Sequence, residues 1–120
     1  MPFAVSDSVS GVLYTALDGV SLRQQVVADN IANVDTPGFR STTVSFESSL
    51  RNAIANGDFA DGVAEVPVTT TPTNSPVGTN GNNVDLRKET LSAMQSQYTY
   101  QLLTRAVSDR YSLISASVAR

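Results

Sequence analysis

The chain has 120 residues, of which 41% are hydrophobic and 16% charged, with a net charge of −3 and neither Cys nor His. This length suits one small domain. A negative net charge gives no basic field for nucleic acid. The lack of Cys and His removes disulfides, thiol nucleophiles, most zinc sites and the commonest general base. We therefore expect no enzyme, no cofactor, no metal site, no small-molecule substrate and no nucleic-acid partner.

The first residues, "MPFAVSD", contain no basic residue and reach Asp7 early. This pattern is not that of a cleavable signal peptide. No apolar run approaches the roughly 20 residues needed to span a bilayer. If the protein leaves the cytoplasm, we expect a route that cleaves nothing.

Apolar residues recur at helical spacing through the first quarter of the chain and predict a long helix over 6–34. Ser6 is the expected N-cap, and Asp7 suits the positive end of the helix dipole. Gly11 and Gly19 each cost about 1 kcal/mol inside a helix, but they would let a partner helix approach closely. The residues of this helix expected at an assembly interface are Val9, Leu13, Val20, Val27 and Ile31.

The middle of the chain has a different character. Residues 45–56 read as a short helix with Ser45 as its N-cap and Gly57 after its end. The following stretch, "VPVTTTPTNSPVGTNGNN", is rich in Pro, Gly, Thr and Asn, which predicts an extended or partly disordered linker. The expected organisation is an N-terminal helix (1–35), a turn with the short helix (36–56), a flexible linker (57–84) and a C-terminal helix (85–120).

The last segment predicts a second long helix over 85–119, with Asp85 as its N-cap and no Gly or Pro inside. It carries two apolar stripes, whereas one neighbouring helix can cover only one. The stripe left over needs other chains. We therefore predict an all-α fold in which the two long helices lie side by side. The candidate interface residues of this helix are Leu91, Met94, Tyr98, Leu103, Val107, Tyr111 and Ile114.

Between the two long helices lies a polar corner, "DNIANVDTPGFR". Pro37 and Gly38 fit positions i+1 and i+2 of a type II turn, where Gly supplies the positive φ. Thr36, which precedes Pro, must leave the helix. An ordinary helix-ending turn explains Pro and Gly, but it does not explain Asn30, Asn33 and Thr36 together.

This stretch strongly resembles the N-terminal signature of the bacterial flagellar axial proteins, which form the rod and hook. "GNNVDLRKE", followed by a long helix containing "SQYTYQ", is similar to their C-terminal region. Hook and distal-rod subunits of this family carry folded domains between their terminal helices, and this chain has room for none, so it looks like a proximal-rod subunit. Its stretch "GNNVDLRKET" is most similar to the B type, with the C type as the alternative. The positions that match the signature are Asn30, Ala32, Asn33, Thr36, Pro37, Gly38 and Phe39.

The resemblance implies a structural subunit of the hollow drive shaft, whose terminal helices pair as an antiparallel coiled-coil-like hairpin. The implied partners are other copies of the chain, other proximal-rod subunits, the small rod adaptor, the export gate and the membrane ring. It also implies export by the flagellar type III apparatus, without cleavage, to the periplasmic rod of the basal body. Outside this family, the alternatives are a helical adaptor or chaperone-like coiled coil and a needle-type helical subunit.

Overall fold

The computed structural model describes residues 2–118, with side chains described from Ser8 onwards. Its elements are α1 (Pro2–Ala32), β1 (Thr42–Ser45), α2 (Glu47–Ala55), β2 (Thr69–Pro72) and α3 (Leu86–Val118). The molecule is elongated, with extents of 64 × 27 × 14 Å. Within the described residues, no helix combines the length and apolarity that a membrane crossing requires.

The two long helices run antiparallel and contact each other. Tyr14, in the first half of α1, donates a hydrogen bond from Oη to Oη of Tyr111, near the end of α3, over 2.9 Å. At the other end of the pair, Ile31 of α1 and Ala93, near the start of α3, line one groove between the two helices. The side-by-side arrangement predicted from the sequence is therefore present, and the fold is mostly α.

The helix boundaries differ from the predicted ones at both ends of α1, which ends at Ala32 rather than Val34, and at the start of α2. α1 begins at Pro2 rather than Ser6, because Pro suits the first helical turn, where no N–H is needed. The side chains of Ser6 and Asp7, and the predicted helix end at residue 119, lie outside the described residues. The N-cap of α2 is Phe46 rather than Ser45, which instead ends β1. The N-cap of α3 is confirmed, since Oδ1 of Asp85 accepts from the backbone N–H of Lys88 over 3.1 Å.

A small antiparallel sheet corrects the all-α prediction. β1 pairs with β2 so that Thr42 lies opposite Pro72 and Ser45 opposite Thr69. The sequences "TTVS" and "TTTP" are rich in β-branched residues, which favour strands. Strands of four residues contain too little alternation for a period of two to stand out from the sequence.

The segment 57–84, predicted to be a flexible, extended or partly disordered linker, is anchored at several points. Phe59 is buried near its start, and Asn82 and Asn83 are buried near its end. Between them, β2 joins the sheet, and the N–H of Thr73 donates to the carbonyl of Ser41 over 3.0 Å. Sequence reasoning missed these anchors because polar side chains make most of them, and apolar periodicity cannot detect polar contacts.

The core lies where α1 crosses the sheet and the start of α2. Val20, Val44 and Phe46 form its buried centre, and half-buried Leu103 of α3 packs against it. Gly19 makes room for Phe46, because a Cβ there would lie 2.5 Å from the ring. A Cβ on Gly11 would likewise meet the carbonyl oxygen of Gly62. Both glycines therefore admit other parts of the same chain, which corrects the expectation of a closely approaching partner helix.

Candidate functional site: the α1 corner and the exposed face of α3

The chain turns sharply at residues 36–39, directly after α1. The N–H of Phe39 donates to the carbonyl of Thr36 over 3.2 Å, which closes the turn. Gly38 has φ of 75°, in the left-handed region that the turn requires at this position. This confirms the turn predicted from Pro37 and Gly38. Pro37 and Gly38 are exposed, and Phe39 is half-buried.

Asn30 joins α1 to the start of β1. Its side chain is 1% exposed. Its Nδ2 donates to the carbonyl oxygen of Thr42 over 2.8 Å, and its Oδ1 accepts from the N–H of Thr42 over 3.3 Å. The amide thus pairs with both backbone groups of one residue, as a neighbouring strand would. A neutral amide can do this because it carries both a donor and an acceptor.

Asn33 and Thr36 hold the last turn of α1. Nδ2 of Asn33 donates to the carbonyl of Asp29 over 2.8 Å. Its Oδ1 accepts from Oγ1 of Thr36 over 3.0 Å. Ala32, the last residue of α1, is exposed. The three polar residues that an ordinary helix ending left unexplained therefore connect the helix end to the turn and the sheet.

Asn82 seats the "GNN" segment on this corner, although it lies 46 positions beyond Thr36 in the chain. Its Nδ2 donates to the carbonyls of Asn33 and Thr36, both over 2.8 Å. These carbonyls lie in the turns that follow α1, and each also accepts a backbone N–H, from Thr36 and Phe39 respectively. Beside it, the N–H of Gly38 donates to the carbonyl of Asn80 over 2.9 Å. The two sequence stretches that carried the resemblance are thus in direct contact.

A second buried amide, Asn83, extends the contact into the sheet. Its Oδ1 accepts from the N–H of Ser41 over 2.7 Å and from Oγ of Ser41 over 3.1 Å. Oγ of Ser41 also shares a hydrogen bond with Oγ1 of Thr73. We call the set Asn30, Asn33, Thr36, Asn82 and Asn83 the corner lock. The sequence indicated the first three members, but it gave no role to the two asparagines before α3.

Arg23 of α1 connects this helix to the start of α2. It forms an ion pair with Glu47 and donates from Nη2 to the carbonyl of Val44 over 2.8 Å. Its guanidinium carbon lies 5.0 Å from the centre of the Phe46 ring. The hydrogen bond from Arg23 holds the pKa of the Glu47 carboxyl below its usual range.

The face of α3 that points away from α1 is apolar and uncovered. We call its four residues, Leu91, Met94, Tyr98 and Leu102, the exposed stripe. Each of them is more than half exposed. On the other side of α3, Leu103, Val107 and Ile114 are half-buried, and Val107 and Ile114 line a groove shared with α1. Tyr111 is exposed but bonded to Tyr14.

The predicted interface residues of α1 divide into two groups. Val20 and Val27 are 2% and 5% exposed and belong to the core of the chain itself. They have too little exposed surface for a neighbouring helix to pack on them, which corrects their assignment to the apolar assembly interface. Val9, Leu13 and Ile31 are half-buried. For these three, and for the seven residues of α3, the assignment stays a prediction.

The site therefore consists of a hydrogen-bonded corner after α1 and an exposed apolar face on α3. Among the described residues, no group of three or more Asp or Glu side chains is placed to hold a metal ion. A family model described as "Flagella basal body rod protein" matches residues 13–40, which span most of α1 and the corner turn. The fold and the corner thus place the chain in the class of flagellar rod proteins.

Relatives described as "Flagellar basal body rod protein FlgB" match most of the chain. The protein of Borreliella burgdorferi is 37% identical over 106 residues, covering 73% of this chain and 78% of that protein. Those of Bacillus subtilis and Escherichia coli are 34% and 31% identical, covering 82% and 78% of this chain and 84% and 80% of theirs. The chain belongs to the FlgB family of flagellar basal body rod proteins. It is a structural subunit of the proximal rod and not an enzyme, as predicted.

Proposed function

We propose that the chain polymerises within the rod through its two long helices, with the exposed stripe of α3 packing against neighbouring subunits. One observation carries this proposal: four large apolar side chains on one helix face are more than half exposed. Burying such a side chain fully stabilises by about 1.5–3 kcal/mol. Leaving all four in water in the final assembly would forgo several kcal/mol per subunit.

The antiparallel pair of α1 and α3 is the unit that we expect to pack in this way, as a coiled-coil-like hairpin. The ten remaining candidates lie along both helices and supply its contacts. Close-packed helices resist deformation, because packed interiors have low compressibility. A shaft that transmits torque needs this property. The proposed assembly residues are Val9, Leu13, Ile31, Leu91, Met94, Tyr98, Leu103, Val107, Tyr111 and Ile114.

The proposed neighbours are other copies of the chain, other proximal-rod subunits and the small rod adaptor, next to the export gate and the membrane ring. The exposed stripe lies on α3, whereas a second apolar groove lies between α1 and the start of segment 57–84, lined by Val9, Leu13 and Phe59. Different surfaces on one subunit favour heterologous contacts, which extend into helical assemblies when the rotation does not close.

We further propose that the flagellar export apparatus delivers the chain unfolded and uncleaved to the periplasmic rod. The small buried core supports this proposal, because it consists of few apolar side chains and contains no disulfide that would have to be opened. Mass spectrometry of the chain from purified basal bodies should return the intact N-terminal peptide.

The assembly proposal is tested by replacing Leu91 and Met94 together with Asn in a motile host that lacks its own copy of this subunit. The double variant should be made and exported at normal levels, yet basal bodies should lack it and the cells should not swim. The matched control replaces two exposed polar residues of the same helix, Gln95→Asn and Gln101→Asn. Normal rods with the apolar double variant would refute the proposed role of the stripe.

A further inference from the structure

A groove lies between α1, the small sheet and the first turns of α3. Its lining includes Arg23, Val27, Val44, Thr73, Glu89 and Ser92. It is separate from the exposed stripe, because its lining includes none of the four stripe residues. Its walls mix apolar and polar side chains. They come from α1, from β1, from the end of β2 and the residues after it, and from the start of α3.

Glu89 is the unusual member of this lining. Its side chain is only 6% exposed, although it is acidic and lies in the first turn of α3. No described residue forms a hydrogen bond or an ion pair with its carboxylate. Buried acidic side chains are almost always paired, because an unpaired charge away from water is costly. Among the described residues, Nε of Arg110 is the one buried side-chain polar atom without a partner, so the carboxylate oxygens of Glu89 still reach water and are open to a cation.

The basic groups that line the same groove do not supply the partner. Arg23 is already engaged by Glu47 and by the carbonyl of Val44. Lys88 is exposed, and its ammonium forms no ion pair within the described part of the chain. A bound metal ion is disfavoured, because Glu89 belongs to no group of three acidic residues among those described.

We infer that this groove is a socket for a cationic side chain, Arg or Lys, of a neighbouring rod subunit, with Glu89 as its counter-ion. The inference rests on the proposed assembly and adds a specific polar contact to its apolar ones. A cation entering the groove would meet a carboxylate that is already oriented and partly desolvated, where charge-assisted hydrogen bonds are strong. The contact with Glu89 would therefore fix the position of one subunit relative to the next, while the exposed stripe supplies apolar burial.

The first test is Glu89→Gln, which keeps the shape of the side chain and removes its charge. In cells that depend on this subunit, the variant should enter basal bodies at least about tenfold less than the wild type, because one partner of a desolvated pair has been lost. Hydrogen exchange of the first turns of α3 in the isolated chain should be unchanged, since the Glu89 carboxylate has no partner within the described chain to lose. The matched control is Glu65→Gln, which removes a charge from an exposed position.

Equal incorporation of Glu89→Gln and wild type would overturn the socket and leave the proposed assembly intact. Absence of the wild-type chain from rods would overturn the assembly itself. Lower protection in the isolated variant, in parallel with lost incorporation, would make Glu89 a folding residue and overturn the socket as well.

A second measurement identifies the occupant directly. A photo-reactive amino acid placed at Ser92, on the groove wall, is cross-linked in assembled basal bodies, and the linked peptide is sequenced. The peptide should come from a neighbouring subunit and carry Arg or Lys within a few residues of the link. A peptide without a basic residue, or loss of incorporation caused by a metal chelator alone, would overturn the inference.

Discussion

At the scale of single residues, neutral amide side chains make the buried polar contacts of the corner, which charged groups make in many binding sites. Asn30, Asn82 and Asn83 are all buried, and each bonds to backbone groups distant in the sequence. An amide supplies donor and acceptor without the desolvation cost of a charge. The corner lock should therefore be insensitive to pH, which suits a joint in a structural subunit of the rod.

Asn30 gives the sharpest test of the lock. Asn30→Asp keeps the shape but places an oxygen against the carbonyl of Thr42, so a donor is lost and a buried charge is added. The cost should be at least about 1–3 kcal/mol. Hydrogen exchange of the amides of Thr42 and Val44 should then speed up by about tenfold or more. The control is Asn52→Asp at an exposed position of α2, which should leave these rates unchanged.

Gly38 tests the turn itself. A Cβ at this position would meet no atom within 4 Å, so the penalty of a substitution comes only from the positive φ. Gly38→Val should cost about 1–3 kcal/mol and lower rod incorporation and motility, with normal synthesis of the protein. Gly38→Asn should be milder, because Asn tolerates the left-handed region. Full motility of the Val variant would show that the turn is dispensable.

Glu47 gives a pH dependence with a defined sign. Arg23 lowers its pKa in the folded chain, so its contribution to stability is present above the usual Glu pKa of about 4.3 and is lost as pH falls through the lower folded value. The Glu47→Gln variant should therefore lose most of this acid dependence. NMR titration of the Glu47 carboxyl checks it, and an unshifted midpoint would exclude the ion pair in solution.

At the scale of elements, the long helices could be predicted because their apolar residues repeat over many turns. The strands could not, because four residues such as "TTVS" carry almost no period, and pairing with "TTTP" is a tertiary event. Only part of the corner lock could be predicted from the sequence. Asn30, Asn33 and Thr36 stood out by their spacing, whereas Asn82 and Asn83 sat in a stretch whose composition is typical of linkers.

Because segment 57–84 is anchored at particular points, its tolerance of length changes should depend on where they fall. The turn near Gly78 is closed by hydrogen bonds from Gly78 to Asn82 and from Gly81 to Gly78. Inserting Gly-Ser-Gly-Ser after Thr79 should displace Asn82 and abolish rod assembly. The same insertion after exposed Glu65 should be tolerated. Motility of the two strains compares them directly, and equal motility would refute the anchoring.

At the scale of the whole molecule, burial is uneven along α3. Among the described residues, Ser96 is the last buried one, and the residues of α3 that follow it are half-buried or exposed. Helices in water take most of their stability from packing. The first turns of α3 and the corner should therefore be the most stable part of the isolated chain, while the end of α3 becomes ordered only in the rod.

Hydrogen exchange of the isolated chain measures this gradient. Amides of residues 41–46 and 86–96 should exchange slowest, and protection should fall steadily beyond Leu103. Uniform protection along α3 would show that α1 alone stabilises it fully. In that case, the neighbours would add contacts without adding order.

The central claim is that the exposed face of α3 is covered by neighbouring subunits in the rod. Because the chain contains no Cys, Tyr98→Cys introduces a single thiol in the middle of the exposed stripe. Its reaction with a maleimide should be fast in the secreted, unassembled chain and at least about tenfold slower in intact basal bodies, with full reactivity regained when the same basal bodies are denatured. A thiol that reacts equally fast in intact rods would contradict the account.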